Sequence, residues 1–175
     1  IITNDLLRSG RFSVTPVENM LQQPSTGAEI DFDDWSILGV EAVVVGKITE
    51  GRNDSYTVQF QLFDIYKREK IVGYRMPAND KTLRRSAHRI ADIVFEDLTG
   101  IRGVFDTKVA YVRSNASNEK RNYTLVISDS AGENEQIVLE SKDPIMSPAW
   151  SPDSRMLSYV SFEGNMSTIY VQNLE

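Results

Sequence analysis

The 175-residue sequence predicts an α+β region, a mixed sheet with helices, followed by an all-β region of repeated short strands. Three observations carry this. Residues 80–99 show helical periodicity, with Leu83, Ala87, Ile90, Ala91, Val94 and Leu98 on one stripe and Arg85, Arg89, Asp92 and Glu96 opposite. Three strand patterns with short connectors precede that helix. After Gly103 the helical period never returns, and turn residues separate one short strand from the next.

Taken in order, Ile2, Leu6 and Leu7 share one side of a helix that stops at Gly10, a residue free to adopt the left-handed conformation. Phe12–Thr15 alternates and ends at Pro16, which predicts a short strand. Residues 16–30, rich in Pro, Gln, Ser and Thr, read as a surface loop. Asp31, Asp33 and Asp34 precede Trp35, Ile37 and Leu38. Three clustered carboxylates could hold a metal, but they also suit a helix N-terminus, where they cap free amides and face the positive end of the dipole. The capping reading is preferred, with Gly39 ending the helix.

Val40–Ile48 is almost continuously apolar, as in a strand covered on both faces. Tyr56, Val58, Phe60 and Leu62 alternate with polar residues, the period of a half-buried strand. Ile71–Met76 is the third strand. The connectors 51–54 and 66–69 are short, so the three form an antiparallel meander. Asp80 opens the long helix, with an Asp80–Arg84 pair one turn apart, and Gly100 closes it.

In the second region, strands are expected at 108–113, 122–128, 135–140, 156–162 and 167–174. Ala110-Tyr111-Val112 recurs as Ser158-Tyr159-Val160, 48 positions on, and Tyr123–Asp129 recurs as Ser167–Asn173, 44 positions on. A longer loop in the first copy, Ser114 to Arg121, accounts for the difference. All-β repeats of this length mark β-propeller blades, and closure takes roughly four to eight of them. Between the copies, Ser147–Trp150 reads as an inner strand ending in the turn Ser151-Pro152-Asp153-Ser154. Trp150 suits packing between blades better than service as a ligand platform. The expected organisation is a 1–100 α/β domain truncated at its start, a 101–107 linker, and a 108–175 propeller start of about one and a half blades.

Composition bounds the function. At 41% hydrophobic and 25% charged, the chain has the make-up of a globular domain. No eighteen-residue apolar run exists, so no spanning helix is expected. A formal net charge of −6 with dispersed basic residues argues against nucleic acid. The absence of cysteine excludes disulfides, Cys-based zinc sites and thiol nucleophiles, and leaves the compartment open. The chain opens at Ile1 without an initiator Met, so an N-terminal portion is expected to be missing.

No catalytic, cofactor-binding or metal-binding residue is assigned. The single histidine, His88, lies on the flank of the long helix beside Arg84, Arg85 and Arg89, with Asp92 one turn on as a potential partner. It reads as a solvated or interdomain side chain, since no G-x-S-x-G elbow supplies a nucleophile. Glu96 and Asp97 are adjacent and face different sides. Neither G-x-G-x-x-G nor H-E-x-x-H occurs.

Five stretches resemble the TolB family, periplasmic components of the Tol–Pal envelope system of Gram-negative bacteria. They are Leu7–Phe12 (LRSGRF), Gln22–Pro24 (QQP), Trp35–Gly46 (WSILGVEAVVVG), Phe95–Gly103 (FEDLTGIRG) and Met146–Asp153 (MSPAWSPD). The resemblance implies an N-terminal α/β domain followed by a six-bladed propeller. It also implies a non-enzymatic role in envelope integrity and cell division, with the lipoprotein Pal bound at the propeller mouth and TolA bound through the N-terminal region. Ser154 departs from the glycine usual in the family turn. The family's Pal-contacting residues lie in later blades, so no partner-binding residue is carried over, and the partner-binding site stays unknown. The alternative is an accessory propeller region of a serine peptidase; a stand-alone α/β module with a disordered tail fits poorly with so many aromatic and β-branched residues. Open blade edges make self-association a further expectation.

Overall fold

A computed structural model describes residues 1–117 and 120–174 and divides the chain into two compact units, Ile1–Asp106 and Thr107–Glu175. The first contains helix α1 (Ile2–Arg8), helix α2 (Phe32–Ile37), strands β1 (Ala42–Glu50), β2 (Ser55–Asp64) and β3 (Glu69–Asn79), and helix α3 (Leu83–Thr99). The α+β class holds. Within it the sheet expected as mixed is antiparallel at every pairing, in the order β1-β2-β3. The tight turns leave no room for a parallel crossover; Asn53, Asp54 and Arg68 adopt positive φ there (55°, 52° and 57°).

The alternation read in β2 places Val58, Phe60 and Leu62 in the core under α3, together with Ile90, Ala91 and Val94. Leu62 is fully buried, and each such side chain contributes roughly 1.5–3 kcal/mol relative to exposure. Over its first half β1 is buried on one face and partly buried on the other, not covered fully on both as its apolar run suggested. Ala42 and Val44 pack toward α3, whereas Val43 and Val45 meet Ile30, Trp35, Phe63 and Ile65 in a second cluster. Beyond Gly46 the strand is exposed.

Three local expectations change. Phe12–Thr15 is not a strand but extended chain without ladder partners; Phe12 and Val14 nonetheless pack on the core. Leu7 points outward, 46% exposed, because the buried side of α1 is taken by Asp5 and Leu6. Asp80 stands in the turn before α3 rather than in it. The helix begins after Thr82, whose side chain and that of Asn79 each accept the other's backbone N–H. Gly100 (φ 71°) ends α3 in the left-handed conformation. In the loop 16–30, two single 3-10 turns, Val17–Asn19 and Gly27–Glu29, are the only regular structure among the described residues.

The second unit holds six strands in two open three-stranded antiparallel sheets. One is β4 (Lys108–Ser117), β5 (Lys120–Asp129) and β6 (Gln136–Ser141); the other is β7 (Ile145–Trp150), β8 (Met156–Ser161) and β9 (Thr168–Asn173). The sequence repeat equates β4 with β8 and β5 with β9. A full repeat therefore has four strands, as propeller blades do. The first sheet holds the last three and the second the first three. The longer loop expected at Ser114–Arg121 falls on residues 118 and 119, which lie outside the described residues; its flanks are strand.

Leu125, Ile127, Ile145, Leu157 and Tyr159 form the core of this unit, and Trp150 packs against it as expected of a residue wedged between blades. Strand β7 bulges between Met146 and Ala149, where Ser147 takes φ 53°. The bulge accommodates Pro148, which has no N–H to give a ladder.

Candidate functional site

In the first unit, α1, the 11–15 segment, β1 and the apolar stripe of α3 enclose a cleft of about 1680 Å³. Its wall is the outer edge of β1, which among the described residues pairs only with β2. Such an edge presents a row of backbone donors and acceptors suited to an extended segment. Ile2, Ala42, Val44 and Leu83, all partly buried, contribute to its apolar lining. Trp35 also borders it, and its Nε1–H is buried without a hydrogen-bond acceptor among the described residues.

The polar centre of this unit is a buried hydrogen-bonded cluster that sequence reasoning missed. His88 is 2% exposed and Asp5 is 1% exposed. The His88 Nδ1 lies 2.6 Å from Asp5 Oδ2, joining α3 to α1 across 83 sequence positions. The other carboxylate oxygen accepts from Arg8 Nη2 at 2.5 Å, and that guanidinium reaches solvent. This corrects the expectation of a solvated or interdomain histidine, and the carboxylate it meets is Asp5, not the potential partner Asp92. Helix α1 packs on α3 and covers the flank that carries His88. The one available signal was an acidic residue, Asp5, set within an apolar helical pattern. Imidazole and carboxylate stand as in the orienting half of a catalytic array, but the pair is sealed from solvent and fastens two helices together.

Asp92 has a different task. Its Oδ1 and Oδ2 accept the backbone N–H groups of Phe105 (2.6 Å) and Asp106 (3.0 Å). The acidic cluster ahead of Trp35 is a helix start, as preferred. Asp31 Oδ1 accepts from the amides of Asp33 and Asp34 at 3.0 and 3.4 Å, Asp33 pairs with Arg68, and Asp34 accepts from Gln22. Among the described residues no group of three His, Cys, Asp or Glu side chains could hold a metal ion.

In the second unit, Tyr111 Oη donates to Glu135 Oε1 at 2.6 Å, and Arg113 Nη1 reaches the same carboxylate at 3.0 Å. The Tyr111 hydrogen bond, with the Arg113 charge, holds the Glu135 carboxyl below its ordinary value. In the blade turn, Asp153 is likewise lowered, mainly by the Ser151 hydroxyl at 2.6 Å. Ile169 and Val171 on β9 are exposed, and Tyr159 stacks on Tyr170 with ring centroids 5.8 Å apart.

An α+β unit whose helix backs a meander, followed in sequence by four-strand repeats in open sheets, defines the class: a globular domain joined to propeller blades. A family model described as the TolB amino-terminal domain matches residues 1–71, and one described as the TolB beta propeller domain matches residues 95–175. Among curated relatives, the Tol-Pal system protein TolB of Nitrosococcus oceani is 46% identical over 175 residues, covering 99% of this chain and 40% of the relative. Its counterpart in Thioalkalivibrio sulfidiphilus is 42% identical, covering 100% and 40%. The crystal structure of TolB from Acinetobacter baumannii superposes with a TM-score of 0.90 at 36% identity, covering 99% of this chain and 43% of that one. The chain belongs to the TolB family. It spans about two fifths of the length of the curated relatives it matches. No helix among the described residues is long and apolar enough to cross a membrane.

Proposed function

We propose that this chain is part of a periplasmic protein–protein interaction component of the Tol–Pal machinery for envelope integrity and cell division. It acts by binding Pal and TolA and not by catalysis. The observation that carries the reading is the match to TolB amino-terminal and propeller models in order along one chain, with relatives named for the Tol-Pal system. In this reading residues 1–100 are the N-terminal domain, 101–107 connect, and 108–175 begin the propeller. The buried character of the Asp5–His88 pair supports a structural role for the residues that most resemble catalytic machinery.

The test uses the full-length protein that contains this chain, titrated calorimetrically with soluble Pal and separately with TolA. Saturable binding of both, and release of the protein by osmotic shock, is expected. Failure of both partners to bind a folded sample, or its retention in the cytoplasmic fraction, would overturn the proposal.

A further inference from the structure

Helix α3 ends at Gly100, and the chain then doubles back along it, so that residues 105 and 106 lie beside Asp92, two turns before the helix end. Asp92 uses each carboxylate oxygen on one of two successive amides, Phe105 N–H at 2.6 Å and Asp106 N–H at 3.0 Å. Bonds of this kind, from amide to ionised carboxylate, are short and about twice as strong as neutral ones. Other contacts fasten the same segment. The Phe105 ring is buried and meets Phe95 edge-on at 5.6 Å. The Asp106 carboxylate takes Arg85 Nε at 3.0 and 3.2 Å. Gly103 crosses so close that an added Cβ would stand 2.5 Å from Asp92 Cα and 2.8 Å from its Cβ. Those are atoms that cannot swing aside, so only glycine fits.

We propose that Asp92 is a carboxylate clamp that makes residues 101–106 a fixed extension of α3, so that any bending of the chain toward its second unit begins after Asp106. A segment that reads in sequence as a loose linker is then a rigid one. The two amides donate to a single side chain, so one substitution removes both bonds. The clamp does not depend on the exposed Arg85–Asp106 pair, which is screened by solvent and contributes little to holding the segment.

The test is backbone amide NMR on the whole 175-residue chain. In the wild type, residues 103–106 should show order parameters near those of α3, around 0.85, and the Phe105 and Asp106 amides should exchange slowly. Order parameters below about 0.6 at 103–106 in the wild type overturn the proposal without any variant. Asp92→Ala should accelerate exchange of those two amides at least tenfold while the α3 amides keep their protection. Arg85→Ala should leave the two amides within about twofold of wild type. Unchanged exchange in Asp92→Ala with α3 intact overturns the clamp, as does loss of protection in Arg85→Ala equal to that in Asp92→Ala. Should Asp92→Ala fail to fold, Gly103→Ala displaces the segment from the same carboxylate and should give the same two-amide signature. Full protection in that variant overturns the proposal.

Discussion

Replacing Asp5 by alanine removes the buried hydrogen-bond partner of His88 Nδ1 between α1 and α3. Both side chains are essentially inaccessible, at 1% and 2% exposed, and the hydrogen bond is 2.6 Å. A hydrogen bond to a charged group contributes about 1.5–3 kcal/mol. Removing one partner of a buried hydrogen-bonded pair costs about 1–3 kcal/mol, since the remaining polar group stays desolvated. The Arg8 contact adds little, because that side chain is 44% exposed. A loss of about 2 kcal/mol is therefore expected, a sizeable share of the roughly 5–15 kcal/mol of an ordinary domain. The two tryptophans report separately, Trp35 from the first unit and Trp150 from the second. Urea unfolding followed by fluorescence in a Trp150→Phe background should show the midpoint of the first unit falling sharply. A double-mutant cycle with Asp5→Asn and His88→Gln should give a coupling above about 1 kcal/mol. A loss below about 1 kcal/mol in Asp5→Ala, with no coupling, would refute the view that this pair fastens α1 to α3.

Two further outcomes follow from the second unit. Ser154 sits in the blade turn at φ 59°, a left-handed backbone that glycine adopts without strain. Ser154→Gly should therefore raise the thermal stability of this unit by about 1 kcal/mol, read by calorimetry, and a decrease would mean that the Ser154 side chain matters to the turn. Glu135 has a folded-state value below its ordinary 4.5. Its contribution to stability is present above the unfolded value and is lost as pH falls through the lower folded one. Tyr111→Phe removes the first cause of that lowering, so a carbon-detected titration should find the Glu135 midpoint moved upward; an unmoved midpoint would assign the effect to Arg113 alone.

Much of the fold was legible because local rules and tertiary packing agree. The β2 alternation, the α3 stripe, the Asp31 cap and the glycine helix ends each rest on short-range periodicity or a single backbone conformation. The strand at Phe12–Thr15 failed because alternation needs a neighbour to become a ladder, and no described strand lies beside it. The repeat offsets found blade strands but not their grouping, since which three strands share a sheet depends on pairing across turns.

The sequence by itself determined the class of each region, the β1-β2-β3 meander, the repeat and the family. These are properties of composition, period and motif, and a linear chain carries them. Only the tertiary structure decided what the lone histidine and Asp92 do. His88 meets Asp5 across 83 positions, and Asp92 meets amides 13 and 14 positions on. Neither partnership follows a helical or strand period. A hydrogen bond lives on distances of about 3 Å, and those are set by how α1 and the chain after Gly100 pack on α3.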